Sequence, residues 1–378
     1  MARNRTIYNV LALYASQVSP TGQQTGLGAV QQLGRVQSFD EDFTRTFQDV
    51  NQFGNLAAID RLEVEAPTVT ASFSYYLTDG LNERLLGLTS ATTGSAGNAS
   101  IISGLLTRAT DQKNYYLMIA DEGNDAAGYT SARTGVIGIG NGFLTSYTVN
   151  AAVGDIPSAD VEIEGLNVRI YGDLNAASPG GSGAVAPGVN AADGQLLTGV
   201  KFKLPAATSM TGSSIPNALL PGDITFTPTG LLGFDPVDLK VQDFSLAVDI
   251  GRTPLQKLGS RYAFSREIDF PLTATLTMNA QVGDLSNGTG DLSSLLCDTN
   301  LNNFVITMKK PACGGTGANA LTYEFRGAKL TSQNFSSAIG DGATMSATFE
   351  VQVGSAQQTD RGIFLSGSYN PPPTPQGV

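Results

Sequence analysis

An all-β chain is expected on three grounds. VEAPTVTASFSYYL, VEIEGLNVRIY, ALTYEFRGAKLTS and SATFEVQVG alternate apolar and polar residues with the period of half-buried antiparallel strands. The 44 glycines and 17 prolines leave few stretches free of chain breakers, so short elements joined by turns are favoured over long helices. Helical pattern is confined to two short runs, LNERLLGL (Leu81 to Leu88) and DLSSLLCD (Asp291 to Asp298), the second with Asp291 placed to cap it.

The strands recur. LTSYTVNAAVGD, Leu144 to Asp155, returns as LTSQNFSSAIGD, Leu330 to Asp341, with six of twelve positions identical. Further pairs keep the same order: Ser19-Pro20-Thr21-Gly22 with Thr227-Pro228-Thr229-Gly230, Val36-Gln37-x-Phe39 with Val241-Gln242-x-Phe244, and Arg45-Thr46 with Arg252-Thr253. Gln52-Phe53-Gly54 matches Lys257-Leu258-Gly259, Pro67 matches Pro271, and Asn114-Tyr115-Tyr116-Leu117 matches Asn303-Phe304-Val305-Ile306. The offset falls from 208 at the first pair to 186 at the last, because the first copy has longer loops. A chance likeness of glycine-rich loops would not keep this order. The reading is a duplication: two tandem antiparallel β-sandwich or barrel domains, each with one short α-helix.

Boundaries follow from composition. Residues 1–171 are the first domain with an N-terminal arm, and residues 222–354 the second. Between them, residues 172–221 open on YGDLNAASPGGSGAVAPGVNAADGQ, a Gly/Ala/Pro-rich linker or insertion that could pack on either copy. Residues 355–378 close on GSYNPPPTPQGV and read as an extended, proline-rich C-terminal arm. In MARNRTIYNVLALYASQ, Asn9 interrupts a short apolar core, so no signal peptide is expected, and no apolar run reaches the length of a membrane helix.

Composition excludes several chemistries. The absence of histidine removes Ser-His-Asp and Cys-His catalysis and most zinc sites. The net charge of −11 argues against a phosphate-gripping surface. Cys297 and Cys313 are too few for a disulfide framework and are expected as free thiols. GVIGIGNG, Gly135 to Gly142, lacks the Lys-Ser/Thr ending of a phosphate loop and is expected to be a glycine-crowded turn. DEGND (Asp121 to Asp125) and DLSNGTGD (Asp284 to Asp291) do not have calcium-loop spacing. Glu162, Glu164, Glu350 and Gln352 alternate along strands and should share a water-facing side. No catalytic residue, metal site or cofactor is expected.

Three stretches carry a family resemblance: LALYASQVSPTG, RVQSFDEDF and QDVNQFGNLAAIDRLEVEAPTVTASFSYYLTDGLNERLLG. Together they resemble the major tail tube proteins of tailed bacteriophages, and AKLTSQNFSSAIGDGATMSATFEVQV resembles the closing strands of the same family. The resemblance covers both copies. It implies domains of tail-tube type that join edge to edge around a lumen, in stacked rings held by a long loop. That loop falls at Arg45 to Asp60 in copy one and at Arg252 to Ser265 in copy two. The implied inter-ring residues are Gln48, Asp49, Val50, Asn51, Gln52, Phe53 and Gly54, with Leu255, Gln256, Lys257, Leu258 and Gly259. Read without the resemblance, QDVNQFGNLA is equally a solvated hairpin tip.

Because family rings have six domains, a chain with two implies a trimer of pseudo-sixfold symmetry, favoured over a hexamer. The expected function is then a virion protein, assembled in the bacterial cytoplasm, whose tube conducts DNA during ejection without binding it specifically. Implied partners are the chain itself, a tape-measure protein, and tail tip or baseplate and terminator proteins, with no membrane anchor. The alternative is a β-sandwich virion decoration or host-adhesion module.

Overall fold

A computed structural model of the chain describes residues 11–17, 30–65, 67–92, 99–106, 111–120, 134–174, 184–185, 187–190, 195–196, 201–202, 204, 217–226, 228–235, 238–283, 292, 302–312, 317–339, 342–354 and 358–369. The first half comprises β1 (Leu11–Gln17), β2 (Val30–Gln32), β3 (Val36–Thr44), β4 (Phe47–Val50), β5 (Asp60–Glu63), β6 (Thr68–Tyr76), α1 (Leu81–Leu85), β7 (Ser90–Thr92), β8 (Lys113–Ile119), β9 (Thr134–Ala152), β10 (Ser158–Gly165) and β11 (Asn167–Leu174). A short ladder, β12 (Ala184–Val185) with β13 (Lys201–Phe202), lies in the connection. The second half comprises β14 (Ile224–Phe226), β15 (Leu239–Asp249), β16 (Arg252–Leu255), β17 (Ser265–Ile268), β18 (Leu272–Val282), β19 (Asn302–Lys309), β20 (Asn319–Ser336), β21 (Thr344–Val353) and β22 (Gly362–Gly367).

The architecture is all-β, and the halves share one wiring. In the first the order is β3-β6-β10-β9, in the second β15-β18-β21-β20, with every one of these contacts antiparallel. The long strands β9 and β20 each serve two neighbourhoods. Their early residues pair with β8 and β11, or with β19 and β22; their late residues pair with β10 or β21. The halves are then joined by hydrogen bonding of β15 to β9, making one continuous sheet.

Alternation decides which side is core. Val69, Ala71, Phe73 and Tyr75 of β6 point inward, as do Leu272, Ala274, Leu276 and Met278 of β18. Burying such side chains is the main favourable term in folding, roughly 1.5–3 kcal/mol for each large aliphatic or aromatic group. Phe304 stacks on Phe325 with ring centres 4.8 Å apart and meets Phe349 edge-on at 5.2 Å. Most of the buried apolar groups of both halves belong to one contiguous cluster running from Leu13 to Leu365.

Two expectations are corrected. GVIGIGNG is not a turn: Gly135 to Gly142 lie within β9. Its glycines are required by close approach. A Cβ on Gly140 would overlap the Pro187 carbonyl, and one on Gly142 would lie 2.8 Å from the Tyr115 ring. The arm at 355–378 does not stand apart from the fold, because Gly362–Gly367 forms the buried strand β22, antiparallel to β20 and parallel to β7. The apolar run Ile363-Phe364-Leu365 gives that strand a core to enter. Of the connecting segment, described residues pack mainly on the first half, and Val189 also meets Ala263 of the second. Asn141 bonds both backbone groups of Val189 (2.8 and 3.0 Å), and Leu204 joins Tyr14, Val30 and Tyr116.

The expected helix of the first half is α1. The second run, DLSSLLCD, lies outside the described residues except for Leu292. Cys297, Cys313 and the acidic stretches DEGND and DLSNGTGD also lie outside them. Among the described residues no helix is long and apolar enough to cross a membrane.

Candidate assembly surfaces

The joint between the halves shows how this sheet accepts a neighbour. It runs from Asp243 opposite Ala152 to Asp249 opposite Ser146. The ladder is extended by Ile250 N donating to the Thr145 carbonyl (2.8 Å) and Val153 N to the Gln242 carbonyl (2.9 Å). On the side away from the core, Ser245 Oγ donates to Asn150 Oδ1 at 2.7 Å, and Asn150 Nδ2 donates to Asp160 Oδ2 at 2.8 Å.

Just beyond β15, Arg252 enters the first half and its side chain is fully buried. Its Nη1 and Nη2 donate to the two carboxylate oxygens of Asp111 at 2.9 and 2.6 Å. Its Nε donates to the Leu144 carbonyl at 2.9 Å, and Nη1 also to the Arg266 carbonyl at 3.2 Å. A planar guanidinium matches this two-point carboxylate geometry, which an ammonium would not. Burial pushes the Asp111 carboxyl up, against the lowering pull of Arg252. Burial also pulls the neighbouring Lys113 ammonium down to about 8, with Asp111 opposing the shift. Arg266, from the same hairpin, forms an ion pair with Glu164 of β10.

A second tie runs through the core. Glu83 of α1 is wholly buried, and its Oε1 accepts from the hydroxyls of Tyr75 (2.9 Å) and Tyr147 (3.2 Å). The Tyr147 hydroxyl lies 2.7 Å from that of Tyr323 in the second half. Burial raises the Glu83 carboxyl, and the tyrosine hydroxyls partly offset this by bonding its ionised form.

Two edges lack what the joint has. Among the described residues, the outer side of β3 is one end of the strand order, and late β20 (Lys329 to Ser336) is paired on one side only, by β21. These are the counterparts of β15 and late β9, the strands that meet in the joint. The edges are accordingly exposed, with Phe43 at 56% and Phe335 at 50%.

The expected inter-ring residues form two hairpins. Gln48, Asp49 and Val50 belong to β4, and Asn51, Gln52, Phe53 and Gly54 lead through the turn towards β5. Leu255 closes β16, and Gln256, Lys257, Leu258 and Gly259 lead through the corresponding turn towards β17. The tips match: Gly54 and Gly259 have φ of 92° and 85°, in the left-handed region that favours glycine. Phe53 and Leu258 beside them are fully exposed.

The flanks of the hairpins differ. Ala263 of the second hairpin is buried against Leu166 and Val189 of the first half, with Tyr262 beside it. The first hairpin exposes Phe53, Leu56, Ile59, Leu62 and Val64. The two hairpins have the same length, each a ladder of four pairs with nine residues between its strands. Arg45 donates to both carboxylate oxygens of Glu63 at 3.0 Å, and Arg45 and Arg61 flank the Phe47 ring at 4.8 and 5.1 Å.

The Arg252–Asp111 clamp and the Glu83–tyrosine tie were not assigned from sequence. The repeated Arg-Thr pair at positions 45 and 252 gave no signal for the first, because Arg252 opens β16 whereas β4 opens on Phe47. The chain matches no protein-family model and no curated protein.

Proposed function

We propose that the chain is a structural subunit of a tube, assembled from rings of three chains with pseudo-sixfold symmetry. One observation carries the reading. Within the chain, one half already binds the other head to tail through β9 and β15, and among the edges unpaired in the described residues are the outer side of β3 and late β20, the counterparts of the strands in that joint. Such an interface is heterologous and closes into a ring or runs on as a filament. An edge strand left bare recruits another chain, so isolated monomers would be the unstable form. Three chains present six repeats around the ring.

The polar side of the continuous sheet supports a conduit for DNA. Asp160, Glu162, Asp243 and Glu350 lie on strands beside buried core-facing neighbours, and Asp40 and Asp42 stand opposite Ser72 and Thr70 of β6, so they look away from the core. A lumen lined by this face repels phosphate and lets nucleic acid pass. The exposed apolar hairpin of the first half, with the tip of the second, supplies the contacts between stacked rings. Together with the likeness of its segments to tail tube proteins, this supports reading the chain as the tube-forming protein of a bacteriophage tail, built in the host cytoplasm and carried in the virion. A tape-measure protein and tip, baseplate and terminator proteins would set the length and ends of the tube.

The test is electron microscopy of the purified chain with mass measurement of its smallest assembly. Hollow tubes built on three-chain rings are expected. Six-chain rings would remove the trimer and keep the tube. Chains that stay monomeric at high concentration would refute the reading in favour of a decoration or adhesion module.

A further inference from the structure

The ring reading leaves open which side chains are covered where chain meets chain. Resting on that reading, we infer that late β20 of one chain docks on β3 of the next as an antiparallel pair with Thr44 opposite Ser332. This docking covers Phe43 and Phe335 on the core side of the sheet.

The ladders themselves superpose the two copies. β3 pairs with β6 through a bulge at Gln37, and β15 pairs with β18 through a bulge at Gln242. Both bulges carry the same hydrogen bond: Gln37 Nε2 donates to the Arg35 carbonyl at 3.0 Å, and Gln242 Nε2 to the Lys240 carbonyl at 3.1 Å. One residue on, a cross-strand polar pair also recurs, Ser38 with Ser74 and Asp243 with Asn279. Phe39 is thus the counterpart of Phe244, and Thr44 of Asp249. On the other side, β9 bulges at Thr145 against β10, and β20 bulges at Thr331 against β21. Ser332 is therefore the counterpart of Ser146. Asp249 faces Ser146 across the internal joint, so Thr44 faces Ser332 between chains.

In the joint, Phe244, Leu246 and Val248 meet Ala151, Val149 and Tyr147, and all six are buried. Their counterparts are Phe39, Glu41 and Phe43 on β3 and Ser337, Phe335 and Gln333 on late β20. Phe43 and Phe335, both exposed in the single chain, stand where the joint has the buried Val248 and Val149. Phe335 lies diagonal to Phe43 in this register, within reach of an aromatic pair. Charge selects the partner. A carboxylate on the core side of an edge strand, as Glu41 is, discourages indiscriminate pairing. A second β3 would set Asp40-Glu41-Asp42 against itself, which is unfavourable across strands. Leu330 to Ile339 carries no charge, and on the outer face Ser336 offers its hydroxyl to Asp40, as Ser245 donates to Asn150 in the joint. β14, at the other end of the strand order, has three residues against the nine of β3.

The experiment uses full-length chains with Cys297 and Cys313 replaced by serine. Thr44→Cys and Ser332→Cys are made in separate chains, mixed, and oxidised under assembly conditions. In the internal joint, the hydrogen bonds from Ile250 to Thr145 and from Val153 to Gln242 put the Asp249–Ser146 pair at a non-hydrogen-bonded site, whose closer side chains suit a disulfide. Each variant alone should give no cross-link, the mixture a two-chain species, and the double variant a ladder ending at three chains. Thr44→Cys mixed with Asn334→Cys, and Asp42→Cys mixed with Ser332→Cys, report two-residue slips in the two directions and should stay unlinked. Phe43→Ala should raise the concentration needed for half-assembly at least roughly ten-fold while leaving the melting temperature of the monomer unchanged.

Cross-linking of Thr44→Cys alone, preferential linking in either slipped mixture, or unchanged assembly of Phe43→Ala overturns the docking. Tubes of three-chain rings without the Thr44–Ser332 link overturn it too and leave the tube reading standing. Chains that never assemble overturn both.

Discussion

Arg252→Ala isolates the tie between the two halves. The substitution removes a fully buried guanidinium that donates twice to Asp111 and once each to the carbonyls of Leu144 and Arg266. Asp111, only 9% exposed at its side chain, is left without its cation, and two carbonyls lose a donor. Breaking a buried pair from one side costs about 3–5 kcal/mol, mostly for the stranded charge. Unfolding entropy is about 2.1 cal/mol/K per residue, or roughly 0.8 kcal/mol/K for a chain of this size. The melting temperature should therefore fall by about 4–6 °C.

Calorimetry on the wild type, Arg252→Ala, Asp111→Leu and the Arg252→Ala/Asp111→Leu double variant completes a cycle. The double variant should lose much less than the sum of the single losses, because no charge is stranded. A fall of less than 1 °C for Arg252→Ala, or strict additivity, would show that the clamp does not hold the halves together.

Other outcomes follow from single groups. Burial raises the Glu83 carboxyl, so the folded state holds its proton more tightly than the unfolded chain does. Its contribution is fully present below about pH 4.5 and is lost as pH rises through the raised native value. Glu83→Gln should consequently gain on the wild type in thermal melts as pH is raised from 4 to 8; a difference that shrinks over that range would contradict the assignment. Gly140→Ala should cost about 1–3 kcal/mol by driving a methyl group into the Pro187 carbonyl. A neutral result in a thermal-shift assay would mean that residues 187–190 can move aside without loss.

Much of the fold is legible along the chain, and the reason is geometric. A strand's side chains alternate, so VTASFSY and LTATLTM state which residues enter the core before any partner is known. The recurrence of Leu144 to Asp155 at Leu330 to Asp341 establishes two copies, and the glycines at 54 and 259 mark matching turns. The same logic misreads Gly135 to Gly142, where close packing of Pro187 and Tyr115, not a turn, requires glycine. It also misses β22, because a six-residue strand beside a proline-rich end carries little pattern of its own.

Sequence by itself determined that this protein is all-β, duplicated and without histidine chemistry. Only tertiary structure decided which strands are neighbours. Backbone hydrogen bonds are blind to side chains, so alternation fixes the face a residue occupies and not the strand beside it. That β15 closes on β9, that Arg252 crosses to Asp111, and that β3 and late β20 are left bare are consequences of how the two copies pack.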